Sequence, residues 1–173
     1  MSNNATELNI NSIFITREEY IKPLLKEGMD EKEIDEVYPF CIATIVPEND
    51  RLDSILANSI EANIFQRFAF TYARQAIKGY DGGKWDFYTT NNGGAFMALD
   101  PEKKYEVTST NGSTYILNGI ATGYFISQMT LSQMQFSDNR KLAQFGINLY
   151  LPNEDLRFSF EKETLTKLLS LLD

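Results

Sequence analysis

The chain has 173 residues, 43% hydrophobic and 13% aromatic, with a formal net charge of −8, one cysteine and no histidine. Such a length supports one domain with its own core, and the aromatic content argues against a disordered chain. The lack of histidine excludes Ser-His-Asp and Cys-His catalysis, imidazole acid–base chemistry and His-based metal sites, and a lone Cys41 excludes an intrachain disulfide. Cys41, in its Cys-Ile-Ala-Thr setting, reads as a small buried residue. The acidic excess is local: residues 1–63 carry 13 carboxylates and 5 basic side chains, whereas residues 64–173 carry 11 of each. This balance opposes direct binding to phosphate backbones. Asp30, Glu31, Glu33, Asp35 and Glu36 form a candidate acidic patch. It either solvates the surface or imitates a phosphate backbone toward a basic partner.

In chain order, residues 1–12 read as a polar tail. Met1 to Glu7 lacks a basic start and no apolar run follows, so no secretory leader is read and a cytoplasmic protein is expected. Thr16 and Glu19 have capping-box spacing and start a short helix that Pro23 shortens or kinks. Asp30 and Glu33 repeat the pattern for a second short helix, through Val37. Residues 1–45 are thus an extension with short acidic helices, and 46–173 the main domain. Cys41 to Val46 is a brief strand candidate. From Asp53 to Lys78, Leu56, Ile60, Ile64, Phe68, Tyr72 and Ala76 recur every four positions, widened by Phe65, Ala69, Ala73 and Ile77. That is a long amphipathic helix, stopped by Gly79.

Strand patterns follow from Lys84 to Thr90 and from Ala95 to Leu99, joined by Asn91-Asn92-Gly93-Gly94, residues that accept the dihedrals of a tight hairpin. A two-residue or a four-residue loop pairs Thr90 with Ala95. The expected faces are Trp85, Phe87, Phe96 and Ala98, the better core candidate, against Asp86, Tyr88, Met97 and Leu99. Residues 100–104 turn the chain into strands Tyr105–Ser109 and Ser113–Leu117, joined through Asn111-Gly112. Asn118 caps a helix to about Met134; Tyr115 to Met134 is interrupted by Asn, Gly, Thr, Ser and Gln and is no membrane span. In the tail, Asn139–Tyr150 reads as a helix broken by Gly146 and ended by Pro152, Leu156–Phe160 as a strand and Lys162–Leu172 as an amphipathic helix. The architecture expected is α+β: a four-stranded antiparallel meander against a long preceding helix and a following helix, with a helical N-terminal extension and a mixed C-terminal tail.

Gly79-Tyr80-Asp81-Gly82-Gly83-Lys84 fails as a phosphate-binding loop. Its spacing is one residue short, Trp85 replaces the required Ser or Thr, and the order is helix to strand. Asp81, Asp86 and Asp100 could hold a hard cation, but the expected register points Asp86 and Asp100 to opposite faces. No catalytic residue, metal site or cofactor is assigned.

The run Tyr80-Asp81-Gly82-Gly83-Lys84-Trp85-Asp86-Phe87-Tyr88, followed by Asn91-Asn92-Gly93-Gly94-Ala95-Phe96-Met97-Ala98, resembles the signature of the ArdB/KlcA antirestriction family. Val46-Pro47-Glu48-Asn49-Asp50-Arg51-Leu52 is similar to its Val-Pro-Glu-x-x-Arg-Leu segment, and Gly123 matches a glycine in its following helix. The family's Ser-Pro-Glu cap before that helix is missing, and its Tyr- and Arg-rich C-terminal helix is matched only loosely. The resemblance covers residues 46 to about 135. It implies a plasmid- or mobile-element-borne protein that protects incoming DNA from type I restriction without catalysis. The implied partner is the type I restriction–modification machinery or another host protein, with no direct nucleic acid and no membrane. Tyr80, Asp81, Gly82, Gly83, Trp85, Phe87, Tyr88, Asn91, Asn92, Gly93, Gly94, Phe96 and Met97 are the candidate site residues, as fold-defining or as contact residues. The alternatives are a mobile-element interaction module without antirestriction, and a metal-dependent hydrolase using Asp81, Asp86 or Asp100.

Overall fold

The computed structural model describes residues 13–173; the polar tail read over 1–12 lies outside them. Thr16 caps α1 (Arg17–Lys26) with both bonds of a capping box, the Thr16 N–H donating to Glu19 Oε2 at 2.8 Å. The helix runs through Pro23, which removes only one helical donor. Asp30 caps α2 (Glu31–Val37), accepting from the Glu33 N–H. After the short strand β1 (Ala43–Ile45), Glu48–Asp53 forms a 3-10 helix.

The long helix is shorter than its apolar pattern. It becomes α3 (Ile60–Ala76) because Ser59 caps it, accepting from the Ala62 N–H at 3.0 Å. Its buried face keeps only the C-terminal part of the expected four-residue row. Ala62, Phe65, Ala69, Tyr72, Ala73 and Ala76 are buried, while Ile60 is 75% and Phe68 49% exposed. The widening residues Phe65, Ala69, Ala73 and Ile77 are all buried, and with Tyr72 and Ala76 of the expected row they make the core stripe.

β2 (Asp86–Thr90) and β3 (Ala95–Ala98) form the hairpin, and β1 pairs antiparallel with the other side of β2. The loop has three residues, with Gly93 at φ +90°, so Thr90 bonds Gly94 and Thr89 pairs with Ala95. This is one residue from the expected register, and a one-residue slip exchanges faces. Phe96 and Ala98 therefore lie with Tyr88 and Asp86, and Tyr88 stacks on Phe96 at 5.1 Å. Phe87 and Met97 share the opposite face. Both faces are covered: Phe87, Tyr88, Phe96, Met97 and Leu99 are all buried.

β4 (Lys104–Thr108) and β5 (Thr114–Asn118) pair with each other but do not extend the first sheet, so the expected meander is divided into a three-stranded and a two-stranded sheet. The outer edge of β3 is already satisfied. The Met97 N–H donates to Ser127 Oγ at 3.0 Å, and Asn153 Nδ2 donates to the Ala95 carbonyl at 2.8 Å. The second hairpin instead joins the end of α3 through an Ile77–Val107 bridge and the Lys78 N–H to the Glu106 carbonyl at 3.0 Å.

Asn118 caps α4 (Gly119–Gln135), the central helix, buried on nearly every side. A Cβ on Gly123 would lie 2.2 Å from the Met97 carbonyl oxygen, so only glycine lets helix and strand approach this closely. Gly146 plays the same part between α4 and α5 (Arg140–Leu156), with a Cβ position 2.9 Å from the Leu131 carbonyl. Hence Gly146 does not break α5, nor does Pro152 end it. The strand expected over Leu156–Phe160 is the end of α5, a 3-10 turn over Arg157–Ser159 and a single bridge from Phe160 to Phe14. α6 (Lys162–Leu172) matches expectation.

Candidate functional site

The motif separates into three parts that do different work. At the hairpin turn, Asn91 and Asn92 are exposed as residues, but their side chains are engaged. Asn91 Oδ1 accepts from the Ile42 N–H at 2.8 Å, and its Nδ2 donates to the Phe40 carbonyl at 3.1 Å, which extends the β1 pairing past the strand. Asn92 Nδ2 donates to the Pro152 carbonyl at 2.8 Å and to Asp155 Oδ2 at 3.0 Å; its Oδ1 accepts from Thr90 Oγ1 and Cys41 Sγ. One turn thus clamps β1, β2 and α5 together. Gly94 has no room for a side chain, with a Cβ position 2.4 Å from Asn153 Oδ1. Burial pushes the Cys41 thiol up to about 11, which makes it a neutral packing group and a poor nucleophile.

The second part is the root of β2. Buried Trp85 donates its indole N–H to Tyr80 Oη at 2.7 Å and packs against Phe70 at 5.7 Å. Arg51, in the segment before α3, forms an ion pair with Asp86, the two side chains being only 18% and 22% exposed. Its guanidinium also lies 6.0 Å from the Phe87 ring centre. Burial, then the Asp86 charge, pushes the Tyr88 hydroxyl up to about 12, so it stays protonated.

The third part faces solvent. Asp81, Gly82, Gly83 and Lys84 are exposed, with Gly82 at φ +137° and Gly83 at φ +156°. They border a groove of about 350 Å3, whose opposite wall is Leu99, Asp100, Lys103 and Tyr105. Lys78 pairs with Glu106 at 2.9 Å, Lys103 with Asp100 at 3.6 Å, and Lys84 lies 3.8 Å from Glu48. The groove thus presents both signs of charge, a surface suited to polar protein contacts. Asp81 and Asp100 both line it, while Asp86 is turned to Arg51. Among the described residues, no group of three or more His, Cys, Asp or Glu side chains could hold a metal ion.

The acidic patch lies apart, on and before α2. Glu31 and Asp35 are bound by Arg17 at 3.2 and 2.8 Å, Lys32 lies 3.9 Å from Glu36, and Asp30 is spent on the helix cap. Glu33 is exposed. Sequence reasoning missed Ser127, Asn153 and Asp155, whose roles exist only across the fold. The role of Arg51 was signalled by the Val-Pro-Glu-x-x-Arg-Leu segment, but its partner was not.

A family model described as antirestriction protein matches residues 78–151, from the foot of α3 through the hairpin and α4 into α5. Over residues 78–151 the chain is thus similar to the antirestriction protein family. The chain is 34% identical over 62 residues to the uncharacterized protein YafX of Escherichia coli K12, an alignment spanning 34% of this chain and 41% of that relative. It also shares the fold of a solved structure from work on KlcA and ArdB, with a TM-score of 0.66 at 20% identity over 76% of this chain and 94% of that one. That work describes a novel fold and antirestriction activity against type I systems in vivo but not in vitro. The ArdB/KlcA resemblance of the motif is shown by the family match and the shared fold together. Among the described residues, no helix is long and apolar enough to cross a membrane.

Proposed function

We propose that this chain protects incoming mobile-element DNA from type I restriction as a non-catalytic inhibitor acting in the cytoplasm. The observation that carries the reading is the antirestriction match over residues 78–151. The in vivo activity of the KlcA and ArdB proteins, not reproduced in vitro, favours a route through the restriction machinery or another host protein. Inhibition without chemistry is supported by how the motif spends its polar groups. Asp86 neutralises Arg51, and both turn asparagines hold the scaffold. The net charge of −8 disfavours a direct grip on DNA. The contact surface we propose is the Asp81–Lys84 loop and its groove, where the motif is exposed to solvent and Lys84 makes only exposed, long ion pairs.

The test is the plating efficiency of unmodified phage on a host with an active type I system, with and without the expressed protein. Plating should rise, and Asp81→Lys with Lys84→Glu should reduce the rise without changing the melting temperature. Unchanged plating in cells that contain soluble, folded protein would overturn the reading and leave an interaction module that lacks antirestriction.

A further inference from the structure

We infer that the groove between α1, Tyr38 and Phe158 is a recognition site for a basic, amphipathic segment of a partner protein. The groove measures about 410 Å3, with an apolar floor of Ile15, Tyr20, Pro23, Leu24, Tyr38 and Phe158 and one charged residue, Glu19, at its edge. Tyr38 is 47% and Phe158 44% exposed, large aromatic surface that the core does not use. The wall is preformed: Tyr20 packs on Phe40 at 5.2 Å, and Ser159 holds the Phe158 turn by donating its hydroxyl to the Cys41 carbonyl at 2.6 Å. Every lining residue lies outside the segment 78–151 that matches the antirestriction family. The groove is therefore a separate surface from the motif loop, and its occupant need not be the restriction machinery.

Charge selects the occupant. Residues 15–38 carry 8 carboxylates against 4 basic side chains. Two of those basic groups pair with three of those carboxylates, Arg17 with Glu31 and Asp35 and Lys32 with Glu36, which leaves 5 carboxylates against Lys22 and Lys26. Lys22 and Lys26 share α1 with Glu18, Glu19 and the neighbouring Glu27. Arg157, stacked 4.8 Å from the Phe158 ring centre, is held by Glu154 at 3.7 Å. An apolar groove in an acidic surround fits a segment with bulky apolar anchors at helical spacing, flanked by Lys and Arg. A second copy of this chain brings a further −8 and is disfavoured, as is a nucleic acid.

The test is selection of phage-displayed random peptides on the full-length protein, with Tyr38→Ser/Phe158→Ser as the counter-selected variant. Both side chains are about half exposed and lie outside the packing around α4, so the variant should stay folded, read as unchanged amide-exchange protection in the β2–β3 hairpin. Enriched peptides should carry apolar residues three, four or seven apart beside Lys or Arg. As synthetic peptides they should bind the parent at least about tenfold more tightly than the variant, and more weakly as salt is raised. Enrichment of acidic or uncharged peptides, or equal binding to parent and variant, would overturn the proposal. Sedimentation showing a dimer that the double substitution dissolves would overturn it in favour of self-association.

Discussion

α4 buries 13 of its residues, whereas α1 and α2 bury one each, Ile21 and Ile34. The hairpin and the helix behind it are packed without clearance, and the acidic helices at the amino end rest on caps and exposed ion pairs. The contrast shows where this fold tolerates change. Around α4 an added atom must displace backbone, so sequence there is dictated by space. On α1 and α2 most positions meet water, and their charges can be set by a partner.

The sharpest way to break this comparison is Gly123→Ala. Its Cβ would meet the Met97 oxygen at 2.2 Å and the Ala98 Cα at 2.4 Å, backbone atoms on a buried strand. The expected loss is about 3 kcal/mol or more, read from urea unfolding. Near-parental stability would mean that the helix can lift away from the sheet. Arg51→Met leaves the Asp86 carboxylate without its main partner in a mostly buried site, and should cost about 2–3 kcal/mol. Adding Asp86→Leu should return part of that, since two apolar groups carry no unpaired charge.

Asn92→Ala removes the bonds to Pro152 and Asp155 and the acceptor for Thr90, for an expected loss of about 1–2 kcal/mol. Faster amide exchange in β1 and β2 should accompany it. In the acidic region the effects shrink. Glu19 is held below the usual carboxylate range, first by the Thr16 backbone N–H and then by its hydroxyl. A lowered folded value means that its contribution is present above the unfolded value of about 4.3 and is lost as pH falls through the folded one. Acidification should therefore fray α1, seen as amide exchange over residues 17–20, while the hairpin stays protected; Glu19→Gln should remove the pH dependence. Arg17→Ala should leave the melting temperature unchanged within error, because its pairs with Glu31 and Asp35 are exposed and screened. A clear drop there would show that the two acidic helices are structurally coupled to the core.

Local chemistry is what the sequence by itself determined. Thr16, Asp30 and Asn118 act through neighbours three residues away, Asn111-Gly112 closes its own hairpin, and the amphipathic run Lys162–Leu172 is a helix in place. The family resemblance was also legible, because its motif is dense and carries glycines and asparagines with backbone roles. What only the tertiary structure decided depends on contacts between distant segments. The hairpin register turned on a three-residue loop whose Asn92 is held by α5, a helix sixty residues away in sequence. The division of the sheet turned on Ser127 and Asn153 taking the edge of β3. Gly146, a breaker when read alone, sits inside α5 because close packing on α4 rewards a missing side chain more than an isolated helix penalises it, and the same helix continues through Pro152. Among the candidate site residues, composition could name the exposed and the apolar, but not assign Asp86 to Arg51 or bring Lys84 to Glu48. Those assignments are made by distance in space, and no period along the chain encodes them.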